Sequence, residues 1–194
     1  MPMAKTKEFS SSVDLPIERV HQIVTSEQYL TTTDEMITES TVEILHAERQ
    51  VGDDGEVRAL VTVTSATPQD SDTPTEEKEH QPESLLNEDP HEPTGDGDSN
   101  GLETTQATIV SAPDADGSFR MISDTPLPNG MGEMSTTFSF VPAGPSETTV
   151  NVQAMANVKI PIVGGKLAKK LLESSEQTVE NGLERVRRLD QVQS

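Results

Sequence analysis

The sequence predicts an α+β chain in which a curved antiparallel sheet of about six or seven strands wraps a long C-terminal helix. Three observations carry this. Short runs alternate apolar and polar residues with the period of two that a half-buried strand requires, and Gly, Asp and Pro clusters separate them. After Ile160 the alternation gives way to a stripe at helical spacing that lasts almost to the end of the chain. One acidic segment, residues 67–101, interrupts the pattern, which resumes on its far side.

The first strand is Lys7 to Val13, with Phe9, Ser11 and Val13 on one face. Asp14 reads as the N-cap of a short helix, with Pro16 in the first turn, where its missing N–H costs nothing. Ile17, Val20 and Val24 follow at helical spacing. Ser26 is the expected cap of a second short helix carrying Tyr29 and Leu30. In the next strand Val42 and Ile44 share a face with His46, while Glu43 and Leu45 point the other way. Its partner sets Val57, Ala59, Val61 and Val63 against polar neighbours. Gly52-Asp53-Asp54-Gly55 joins them as a hairpin turn.

Between residues 70 and 98, eleven acidic residues stand against Lys78 alone, which is half of the chain's net charge of −20. Four prolines remove backbone donors there, and only Leu85 and Leu86 offer a buriable pair. Such a stretch buries too little surface to offset its ordering entropy, so residues 67–101 are expected to be a disordered insertion, with at most a helical turn at Ser84 to Asn87. Patterning resumes with Ala107 and Ile109 in one strand, Phe119 and Met121 in a second after the Asp114–Gly117 turn, and Met134, Thr136, Phe138 and Phe140 in a third. After Pro142–Ser146, every even position from Val150 to Ile160 is apolar. The terminal helix is expected from about Pro161 to Leu189, striped by Leu167, Leu171, Val179, Leu183 and Val186 with Ala168 and Leu172 beside them. Some 28 residues give about 40 Å, enough to cross a sheet.

The 194 residues suit one domain, expected over residues 5–190. The low apolar and aromatic fractions, 31% and 3%, reflect mainly the acidic segment. The charge excludes generic binding to nucleic acid, which needs clustered Lys and Arg, and argues against attraction to anionic lipid. It favours solubility, or a basic protein partner for the acidic loop. The absence of cysteine removes disulfides, thiolate metal sites and cysteine nucleophiles together. Met1 to Phe9 holds no apolar run of the kind a secretion signal needs, and no stretch approaches about 18 consecutive apolar residues. The expected address is therefore the cytoplasm, with no stable membrane insertion.

The order of strand, two short helices, antiparallel strands and one long helix resembles the START-like, or SRPBCC, superfamily with its helix-grip fold and polyketide cyclase-like members. The nearest resemblance is to a poorly characterised actinobacterial branch. Two stretches carry it: Phe9 to Val20, running from strand into helix, and the more specific Val158-Lys159-Ile160-Pro161-Ile162-Val163-Gly164-Gly165-Lys166. The match covers about residues 5–66 and 102–190, and the acidic insertion departs from the family pattern. The resemblance implies a cavity between sheet and terminal helix for a small apolar or lipid-like ligand, enlarged by Ala59, Ala107, Ala154 and Ala156 if these face inward. The plainer reading is that the alanines let the helix pack close. The pocket candidates are His46, Ile44, Ala59, Val61, Phe138, Ala154, Ala156 and Leu171.

No catalytic constellation is evident, and neither a cofactor nor a metal is expected. His21 and His46 are expected to be structural. A cyclase or aromatase-like enzyme is the alternative to a binding module, with His46 or Glu43 as its polar group. A third reading is an interaction protein using its acidic loop. Asp96-Gly97-Asp98-Ser99-Asn100-Gly101 has the first half of a calcium loop, but Ala107 stands where the bidentate Glu belongs. Gly164-Gly165-Lys166 lacks the P-loop spacing and reads as a tight passage from strand to helix. Lys166, Lys169, Lys170 and the terminal arginines read mostly as a solvated helix face.

Overall fold

A computed structural model describes residues 3–32, 42–65 and 102–193. Strand β1 (Met3–Val13) leads into helices α1 (Ile17–Val24) and α2 (Glu27–Thr31). Then come strands β2 (Val42–Val51), β3 (Val57–Ser65), β4 (Leu102–Val110), β5 (Phe119–Pro126), β6 (Gly132–Gly144) and β7 (Glu147–Val158), and finally helix α3 (Gly164–Gln193). The strands form one seven-stranded sheet in the order β1-β7-β6-β5-β4-β3-β2, every neighbouring pair antiparallel. This is the helix-grip arrangement expected from the sequence. The acidic insertion, its possible helical turn and the half-matched calcium loop lie outside the described residues.

Two turns and one helix cap form as their residues dictate. The β2–β3 hairpin closes with Gly55 N–H on the Gly52 carbonyl at 3.0 Å, and Gly55 takes a φ of 81°. Gly117 ends the β4–β5 turn in the same way, at φ 85°. Ser26 caps α2 by accepting the Tyr29 N–H at 3.2 Å. Asp14 does not cap α1. Leu15 N–H bonds back to the Val13 carbonyl at 2.9 Å, a turn that puts Pro16 at the cap position, where no side chain contributes.

Helix α3 lies along β1 and β7, with α1 packed beside it. Its buried line is Ala168, Leu172, Ser175, Val179, Leu183, Val186 and Leu189, so Leu167 and Leu171 flank the stripe rather than form it. The fully buried Val150, Ala154 and Ala156 of β7 meet this line, and the odd positions face solvent. Thr148, also fully buried, donates to the Leu15 carbonyl at 2.8 Å and so carries no desolvation penalty for an unpaired hydroxyl. The terminal arginines are more than a solvated face. Arg185 donates to the Gln28, Tyr29 and Thr32 carbonyls at 2.9–3.0 Å, closing the C-terminus of α2 where the helix leaves acceptors unpaired.

Candidate functional site

Register fixes which residues look into the curve of the sheet. At the end nearest α1, Val110 pairs with Met121, Phe119 with Phe140, and Phe140 with Val150. These side chains are buried, and the Phe119 and Phe140 rings stack with centroids 4.4 Å apart. His21 meets the edge of Phe119 at 4.7 Å, and its Nε2 lies 3.2 Å from the Ser111 carbonyl. Its role is to close this end of the core.

Toward the other end the same face changes character. Along β3 it runs from buried Val57 and Ala59 to half-buried Val61 and Val63. Along β4 it runs from Val110 to Thr108, Gln106 and Thr104. Strand β5 passes from Phe119 and Met121 to Ser123 and Thr125, and β6 from Phe140 to Phe138, Thr136 and Met134. The concave surface thus grades from closed hydrocarbon to a half-buried, hydroxyl-rich floor. At its exposed margin Gln106 Nε2 donates to Ser123 Oγ at 2.6 Å.

The candidates from the sequence divide among four places. Ala59 belongs to the buried core, and Phe138 packs against it. Val61 and Ile44 are half-buried on the concave face, Ile44 opposite Val63. Ala154, Ala156 and Leu171 gather in a second cluster with Val158, Ala168 and Leu172, so the two alanines seat the first turns of α3 at close range. His46 falls elsewhere. A bulge between Ile44 and His46 inserts one residue, and His46 then pairs with Thr62 on the convex face, where it is exposed. Glu43, opposite Thr64, is on that face too.

Ala107 and Ile109 also prove to be convex, beside Asp124 and Ile122. Sequence reading took the apolar residues of β4 as its inward set and so missed Thr104, Thr108 and, across the ladder, Ser123. The available signal was Val110, whose parity shows that the even positions of β4 point inward.

Two hollows open elsewhere. A cleft of about 270 Å³ between β1 and α3 is lined by Phe9, Ser11, Val179 and Glu180 among others, with Lys7 paired to Glu176 at 3.3 Å nearby. There Ser11 donates to Glu180 Oε2 at 2.9 Å and Arg187 to Glu180 Oε1 at 3.1 Å. The Arg187 guanidinium, and then the Ser11 hydroxyl, hold the Glu180 carboxyl below its ordinary value. A shallow hollow of about 540 Å³ on the convex face is lined by polar residues including Arg120, Thr137, Asn151 and Gln153. Among the described residues, no group of three or more His, Asp or Glu side chains could hold a metal ion. No described helix is long and apolar enough to cross a membrane.

A family model described as a protein of unknown function (DUF2505) matches residues 99–189. No curated protein sequence matches the chain. Among solved structures, Ara h 8.0201 is 12% identical with a TM-score of 0.51, over 96% of this chain and 99% of its own. Norcoclaurine synthase from Thalictrum flavum, solved with dopamine and hydroxybenzaldehyde, is 12% identical with a TM-score of 0.50, over 95% and 87% respectively. A START superfamily protein from Mycobacterium smegmatis is 18% identical with a TM-score of 0.49, over 95% and 98%. At such identities the similarity reaches the fold and no further.

Proposed function

We propose that this START-like fold binds a small, lipid-like molecule with an apolar body and a hydrogen-bonding end, between the open half of the sheet and the first half of α3. One observation carries the reading: the concave face loses its closure strand by strand and finishes in side-chain hydroxyls and one amide. Half-buried hydroxyls need partners, and a site that pairs them while offering Val61, Phe138 and Leu171 suits a molecule with both kinds of surface. The cyclase alternative loses the two polar groups named for it, His46 and Glu43, because both are on the convex face.

Native mass spectrometry of protein purified without detergent, before and after organic extraction, tests this. The expected result is a bound mass that extraction removes and that a Val61→Trp variant, which fills the open half, fails to carry. An empty wild-type protein under gentle conditions would overturn the proposal.

A further inference from the structure

The corner between β7 and α3 has features that neither strand nor helix requires. Ile162 is 100% exposed and Val163 51% exposed. Ile162 has a φ of 69°, with Val163 N–H bonded to the Pro161 carbonyl at 2.8 Å. This is a tight three-residue turn in a region of backbone space that disfavours β-branched side chains. Glycine would suit the position better on conformational grounds. The strain therefore accompanies an apolar side chain held fully in water.

The charge around it is equally uneven. From Lys159 to Leu172 the chain carries four lysines and no acid, within a protein of net charge −20. Lys159, Lys166, Lys169 and Lys170 are all exposed, and the last three share one helix face by their spacing. Lys169 reaches Glu173 at 3.7 Å, and the other three make no ion pair among the described residues. Lysine in the first turn of a helix also opposes the helix dipole, so Lys166 gains nothing there for α3 itself.

We propose that this corner docks the protein on an anionic membrane surface. Ile162 and Val163 enter the headgroup boundary, and Lys159, Lys166, Lys169 and Lys170 meet the lipid anions. The shape favours a fluid surface over a folded acidic partner. A single projecting knuckle flanked by lysines on long stems needs no matching pocket. Screening at physiological salt limits the reach of a charge to about 8 Å, so the acidic residues on the far side of the fold do not oppose docking. The corner is at the end of the sheet where β3 and β7 finish and β4 and β6 begin, which is the open end of the concave face. Docking stands apart from any cargo in that face, since it is measured with empty vesicles and is indifferent to whether a ligand is found inside.

The test is cosedimentation of the full chain with vesicles of equal parts phosphatidylcholine and phosphatidylserine, against phosphatidylcholine alone, across a salt series. Binding is expected only with phosphatidylserine and should fall as salt rises. Each lysine near such a surface is worth about fivefold, so a Lys166→Glu/Lys170→Glu variant should partition at least about thirtyfold more weakly. Ile162→Gly should also bind less while melting at a higher temperature, which separates lost docking from lost folding. Wild-type protein that ignores phosphatidylserine vesicles, or a double-lysine variant that sediments like wild type, would overturn the proposal. So would capture by polyglutamate without capture by vesicles.

Discussion

The two ends of the concave face are made by the same seven strands of one antiparallel sheet, yet one is a packed core and the other is not. At the closed end α1 and the C-terminal half of α3 press onto Phe119, Phe140, Val110 and Val150, all of them buried. At the open end the ladder places Thr108, Ser123 and Thr136 side by side, where the β7 neighbours are alanines already filled by Ala168 and Leu172. A curved sheet can seat a straight helix closely along only part of its width, here β1 and β7. The composition follows that geometry, with bulky side chains under the helices at the closed end, alanine where α3 seats closely on β7, and hydroxylated residues on β4 to β6 where no helix reaches.

The sharpest way to break this comparison is to cut one side chain from each end. Phe119→Ala should cost about 3–5 kcal/mol, as deletion of a fully packed aromatic does. Thr136→Ala, on the same face of the neighbouring sheet region, should cost under about 1 kcal/mol. Urea unfolding of both variants measures the difference, and equal losses would mean the open end is as tightly packed as the closed one.

A smaller effect asks whether polar contacts also hold the closed half together. Arg185 grips three carbonyls at the end of α2 and lies 5.1 Å from the Tyr29 ring centroid. Arg185→Ala should destabilise by about 1–2 kcal/mol, in the range for hydrogen bonds from a charged donor that is partly solvated. Hydrogen exchange should show the loss first in the amides of α2. Uniformly faster exchange across the sheet would contradict that role.

The smallest effect concerns pH, at the middle of α3 where the two ends meet. The carboxyl of Glu180 is held below its ordinary value by Arg187 and then Ser11. A depressed carboxylate adds stability that is present above its unfolded-state value and disappears as pH falls through the folded one. The Glu180→Gln variant should therefore lose less stability than wild type on acidification below the ordinary carboxylate range. Half-exposure of Glu180 keeps the effect small. Parallel acid limbs in the two thermal-melt series would show that the contact contributes nothing.

Much of the architecture was legible in the sequence, because alternation, turn chemistry and helical spacing are local. The Gly52–Gly55 hairpin, the Ser26 cap, the buried even positions of β7 and the length of the final helix follow from neighbours within a few residues. The resemblance to the START-like superfamily added their spatial order. Asp14 resembles a cap because Pro16 follows two residues later, whereas the turn at Leu15 hands that position to Pro16.

The sequence by itself therefore determined which segments become strands and helix, and that one side of the sheet would be wet. For β2 and β4, only the tertiary structure decided which side turned inward. A strand has two faces separated by a single residue, so the bulge beside Ile44 was enough to send His46 outward. Within the mixed composition of β4 only the parity of Val110 favours Thr108 over Ala107. That choice is made by pairing with Ser123 and Asp124 across the ladder, and by where α3 leaves the sheet uncovered. The candidate site is a property of register and of helix placement, and neither is written in any one segment of the chain.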